Sequence, residues 1–149
     1  MNQILFVGEQ PSRPGVTTAF DPHGGSTKHL AEMAGVDPYF FRHMFRFMNM
    51  LPWGPWSVRD ARLYAPSVRG LAQYYQVGLV VLLGRKVAEA MGFGSHNGAT
   101  YYRVREVDGV KYVVLPHPSR RNRLWNDPVN VRRTTRFLRR WTRWASSSL

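Results

Sequence analysis

The 149-residue sequence contains no cysteine. That excludes a disulfide, a thiolate metal site and a cysteine-held iron–sulfur cluster. Acidic side chains are scarce: nine Asp and Glu stand against 21 Lys and Arg, a formal net charge of +12. So large an imbalance points to a polyanionic partner. From residue 110 onward the only acid is Asp127, against ten lysines and arginines, so the basic surface is concentrated in the last quarter. Arginine dominates there, and its planar fork both grips phosphates and stacks on bases. Nucleic acid is therefore favoured over an anionic membrane surface. No apolar run approaches the ~18 residues of a membrane span, and no basic segment precedes the first apolar residues as in a signal peptide. The expectation is a cytoplasmic protein with no membrane association. His23, His29, His43 and His96 show no ligand spacing with one another or with carboxylates, so neither a metal nor another cofactor is expected.

What is present is an alternation of short apolar runs and amphipathic stretches, with no internal repeat and no low-complexity linker. At 149 residues and 44% hydrophobic composition the chain can bury one good core, so one domain over residues 1–149 is expected. Residues 3–7 read as a buried strand and 11–25 as a long loop. Residues 26–35 read as a helix, with Ser26 as its cap and Gly35 beyond its end. A second strand is expected over 45–50 and a break at 52–55. Helical material fills 58–75, starting afresh after Pro66. The clearest strand is 77–83, ending at Gly84 and followed by a helix through Met91. Residues 101–107 and 111–115 form a hairpin or two closely spaced strands joined at Asp108-Gly109. The last helix takes Asp127 as cap and Pro128 as first residue, runs to about Ala145 and buries Val131, Leu138, Trp141 and Ala145. Such alternation gives an α/β fold, a three-layer α/β/α sandwich on a central, mostly parallel sheet.

Two segments carry chemistry. The stretch LPHPSRRNRLWN, residues 115–126, frames His117 between Pro116 and Pro118 ahead of a polar, basic loop. Its Ser119, Arg120, Arg121, Asn122 and Arg123 are suited to a phosphodiester backbone. Near the other end, ILFVGEQPS, residues 4–12, runs a buried strand into a turn at Gly8 that carries Glu9, Gln10 and Ser12. Two polar loops that each follow a β-rich run are what a parallel sheet displays along its carboxyl edge, where such folds bind ligands.

These residues resemble the uracil-DNA glycosylase superfamily. Its first motif, a Gly-x-x-Pro turn after the first strand, is similar to Gly8-Glu-Gln-Pro11. Its second, a His-Pro-Ser loop near the end, is similar to His117-Pro-Ser119. Between them, Phe20 stands where the family carries a uracil-stacking phenylalanine, Asn49 where a strand ends in the asparagine that reads the base, and 80–84 where a later core strand precedes a helix. The resemblance covers nearly the whole chain in the correct order. It departs from the best-known branch, which has aspartate in the place of Gln10. The Glu-then-neutral pair is closer to the cluster-bearing branches, yet every cysteine those branches use is missing, as is the basic, histidine-containing loop with which one of them bonds to DNA. The resemblance therefore implies a compact, cluster-free relative acting on DNA, duplex or single-stranded, as a monomer.

The resemblance also implies roles. His117 would donate to the pyrimidine O2 as charge develops there, and its neutral form suffices. Asn49 matches the O4 and N3 edge of uracil with an acceptor and a donor, and Phe20 offers a stacking face. Glu9 would orient water and offset positive charge on the sugar, with Gln10 beside it holding a water or the sugar. Arg121, four residues beyond the motif histidine, stands where the family fills the gap left by a flipped base. Plainer roles exist for the same residues: a turn at Gly8, a structural imidazole at His117, a core contact at Phe20, a strand-end cap at Asn49, a phosphate contact at Arg121 and a solvated face for the arginines of the last helix. Two functional classes accommodate them, a glycosylase for uracil or a related 5-substituted pyrimidine and a non-catalytic nucleic-acid-binding module of the same fold.

Overall fold

The computed structural model describes residues 3–9, 24–52, 54–94 and 101–147. Three strands of almost uninterrupted aliphatic and aromatic residues lie at its centre: β1 (Ile4–Gly8), β3 (Leu79–Leu83) and β5 (Val110–Leu115), with β2 (Arg46–Asn49) and β4 (Arg105–Val107) at the edges. The order is β2-β1-β3-β5-β4. All pairs are parallel except β4 with β5. A strand that is apolar at every position must be covered on both faces, and this sheet is.

Side chains alternate across the sheet. Ile4, Phe6, Val81, Val113 and Leu115 face a layer built from α1 (Gly25–Ala34), α2 (Pro38–Met44) and α5 (Pro128–Ser146). Leu5, Val7, Val80, Leu82 and Val114 face α3 (Val58–Tyr74) and α4 (Arg85–Ala90). The result is the three-layer α/β/α sandwich on a mostly parallel sheet that the sequence implies.

Several boundaries differ from the sequence reading, each for a local reason. Helix α1 starts two residues early: Gly24, not Ser26, is the N-cap and makes no side-chain capping bond, so Ser26 lies inside the first turn. Gly35 does end it, at φ 75°. Helix α2 has no counterpart in the sequence reading, although Asp37 caps it and Pro38 opens it, the same pair as Asp127 and Pro128 at α5. Helix α3 is continuous through Pro66 instead of restarting after it. Proline removes one helical hydrogen bond, but Ala61, Ala65, Val68 and Ala72 lie buried along one face on either side of it, and that packing carries the helix across. Strand β4 begins only at Arg105, because Tyr102 has φ 70°. Asp108 and Gly109, both at positive φ, form the two-residue turn of a β4–β5 hairpin. In α5, Leu138, Trp141 and Ala145 are buried as expected, whereas Val131 is only partly so and Thr134 takes the fully buried place. Thr134 is tolerated there because its hydroxyl meets the Tyr102 hydroxyl at 3.0 Å.

Candidate active site

Strands β1 and β3 are neighbours whose onward connections leave to opposite sides of the sheet, since β1 leads to β2 on one flank and β3 leads to β4 and β5 on the other. A crevice opens at the carboxyl edge where the strand order reverses in this way. Glu9 follows β1 directly. The ladder to β2 continues one step past the strand, where the Leu51 N–H donates to the Glu9 carbonyl at 2.9 Å, so the Glu9 backbone is held from one side. Asn49 ends β2 in register with Gly8.

His117 arrives from β5, which is separated from β1 by β3. Its Nε2 nevertheless lies 3.1 Å from Glu9 Oε2. The two side chains meet because β3 ends in Gly84. A Cβ built on Gly84 would stand 3.1 Å from the His117 Cβ, and the φ of +101° suits only glycine. The imidazole therefore leans across the end of β3 through space that any side chain would fill.

The loop around His117 is cross-braced. Its carbonyl accepts from Asn122 Nδ2 at 3.0 Å and from Trp125 Nε1 at 3.0 Å. The Pro118 carbonyl lies 2.8 Å from Nδ1 of His29, a buried residue of α1 whose ring meets Trp125 edge-on. The Ser119 N–H donates to His117 Nδ1 at 3.1 Å. With its Nδ1 lone pair engaged, a neutral His117 carries its proton on Nε2, which donates to the Glu9 carboxylate. The second Glu9 oxygen lies 3.7 Å from Nζ of Lys86, in the first turn of α4. Burial alone would push the Glu9 carboxyl up. The hydrogen bond from His117 and the nearby charge of Lys86 outweigh that and hold it below the ordinary glutamate value.

The structure thus brings Gly8, Glu9, Asn49 and His117 to one edge of the sheet. Gln10, Ser12 and Phe20 lie outside the described residues. The loop residues divide. Arg121 and Arg123 are exposed. Arg120 pairs with Glu32 of α1. Asn122, expected among the DNA contacts, uses both ends of its amide within the loop: Nδ2 reaches the His117 carbonyl and Oδ1 accepts from the Leu124 N–H. Ser119 likewise receives the Arg121 N–H on its hydroxyl at 3.3 Å. Sequence reasoning missed Lys86, His29, Trp125 and the spatial role of Gly84. Only Lys86 left a signal, as a cation in the first helical turn after a core strand. Among the described residues no group of three or more His, Asp or Glu is placed to hold a metal ion, and no helix is long and apolar enough to cross a membrane.

A doubly covered parallel sheet that gathers a carboxylate, an imidazole and a cationic loop at its switch point defines the class: an α/β protein with polar chemistry at the carboxyl edge. Within it, the chain belongs to the uracil DNA glycosylase superfamily, whose family model matches residues 2–145. That is a family of base-excision hydrolases acting on DNA, and the absence of cysteine makes this a member without an iron–sulfur cluster. No curated protein matches the sequence.

Proposed function

We propose that this protein is a monofunctional DNA glycosylase that hydrolyses the N-glycosidic bond of uracil, or of a related 5-substituted pyrimidine, rotated out of DNA. The observation that carries the reading is the pair of contacts at the two ring nitrogens of His117. The Ser119 N–H engages Nδ1, leaving Nε2–H as a donor aimed into the edge of the sheet, 3.1 Å from a carboxylate.

In the reaction a water oxygen bonds to the sugar C1′ as the C1′–N1 bond breaks. The electron pair leaves with the pyrimidine and spreads onto O2. When substrate enters, His117 Nε2–H transfers its hydrogen bond from Glu9 to that oxygen, a preorganised donor of the kind worth ~3 kcal/mol. Glu9, freed of His117 and kept ionised, orients the water and accepts its proton, and its charge offsets the cationic sugar. Lys86 keeps Glu9 anionic. Asn49, opposite Gly8, presents an amide to the O4 and N3 edge of the base. Asn122 and Trp125 hold the His117 backbone, so the imidazole reaches the leaving oxygen with little motion left to freeze out.

The test is a panel of duplex and single-stranded oligonucleotides carrying uracil, a thymine mismatch or 5-hydroxymethyluracil, scored for abasic sites. Excision of one of these, abolished by Glu9→Gln together with His117→Ala, is the expected result. DNA binding with no excision from any member would leave a binding module in place of the enzyme. The panel also decides which pyrimidine is taken, since an apolar pocket separates a methyl group by only ~1–3 kcal/mol.

A further inference from the structure

Helix α5 carries six arginines and no acidic residue over its 19 positions. At about 100° per residue its buried residues Thr134, Leu138, Trp141 and Ala145 fall on one side, and the arginines fall on the opposite side. Three of the six are engaged by the protein itself. Arg133 lies over the Tyr102 ring, Arg140 over Phe137, and Arg139 donates to the Met33 carbonyl. Arg132, Arg136 and Arg143 are different: all are exposed, and among the described residues none has an ion pair or hydrogen bond from its side chain. They fall within about 40° of one another around the helix and span about 17 Å along it.

The row does not belong to the carboxyl-edge site. Helix α5 starts beside the catalytic loop, where Asn130 Nδ2 donates to the Leu124 carbonyl. It then runs down the flank of the sandwich until Trp144 lies against Gly78, which precedes β3 at the amino edge of the sheet. The lower half of the row is therefore on the side of the molecule, away from Glu9 and His117.

We propose that Arg132, Arg136 and Arg143 form a second nucleic-acid contact, a phosphate-backbone track that holds DNA without regard to sequence or damage. Charge complementarity selects the partner. Like charges stacked along one helix face repel, and a regular polyanion relieves that repulsion at several positions at once. The ~17 Å span corresponds to about five steps of a DNA strand at ~3.4 Å each. An anionic bilayer fits less well, because an interfacial helix inserts its apolar face, and here that face is sealed in the core by Leu138, Trp141 and Ala145.

The experiment measures binding of the full chain to undamaged duplex DNA as a function of salt. It is independent of the proposed glycosylase activity, because that DNA holds no substrate base. The variant R132Q/R136Q/R143Q should flatten the slope of log K against log salt by about 2–3, since each lost phosphate contact removes about one unit. The triple Arg→Lys variant should keep the slope. An unchanged slope and affinity in the glutamine variant would overturn the proposal. So would loss of binding to phosphatidylserine vesicles with DNA binding intact. Should the triple variant fail to fold by circular dichroism, Arg136→Gln alone carries the test, with a change of about one unit expected and no change refuting the track.

Discussion

Glu9 sits between an imidazole and an ammonium, and its ionisation follows from that placement. Because His117 and Lys86 hold its carboxyl below the ordinary glutamate value, the group stays anionic to lower pH than an ordinary glutamate does. The lowered value belongs to the free protein, in which His117 still meets Glu9, so kcat/KM for excision should decline only as pH drops through it. Lys86→Met removes one of the causes that lower it, so the acid limb of the kcat/KM profile should move to higher pH. A limb that does not move would show that Lys86 leaves Glu9 untouched. The same sign governs stability: the contribution of Glu9 is complete above the unfolded glutamate pKa and is lost as pH falls through the folded one. For His117 the donor acts on charge that exists only in the transition state. His117→Ala should thus lower the single-turnover rate by about 10²–10³ with DNA affinity nearly unchanged. Equal losses of rate and affinity would make His117 a DNA contact.

At the scale of elements, the end of β3 decides whether the site assembles. Gly84 combines a φ of +101° with a contact that would put an added Cβ 3.1 Å from His117. Gly84→Ala should cost about 1–3 kcal/mol in denaturant unfolding from the strained backbone. It should also slow excision at temperatures where the variant is fully folded, because His117 must move away from Glu9. A destabilised variant with wild-type excision would refute that coupling. The loop that carries His117 is secured from a different element, since His29 of α1 meets the Pro118 carbonyl and Trp125 meets the His117 carbonyl.

At the scale of the molecule, the two helical layers give the sheet unequal support. The layer of α1, α2 and α5 is aromatic: the Phe6 ring, fully buried, has Phe41, Phe45, Phe47 and Trp141 at centroid distances of 5.6, 5.2, 5.3 and 6.2 Å. The opposite layer is largely alanine and valine from α3 and α4. Phe6→Ala should therefore cost about 3–5 kcal/mol, read as a lower urea midpoint at constant slope. A loss below 1 kcal/mol would mean that the aromatic layer closes over the gap.

The sequence alone determined the layered α/β class, because strands apolar at every position require cover on both faces and the segments between them are amphipathic. It also placed Glu9 and His117 at strand ends, since polar turns follow the apolar runs directly. Helix α2 went unread, although Asp37 and Pro38 mark its start by the same capping chemistry that opens α5 at Asp127 and Pro128. Other features depended on tertiary structure. Pro66 is a break by local rules, and only the alanine and valine face packed on the sheet keeps α3 whole. The roles of Asn122 and Trp125 were hidden because a hydrogen bond to the His117 carbonyl depends on how the loop folds back, which composition does not encode. The meeting of Glu9 with His117 rests on strand order: β3 lies between their strands, and its last residue is a glycine that leaves the space in which a carboxylate and an imidazole far apart in sequence come within hydrogen-bonding distance.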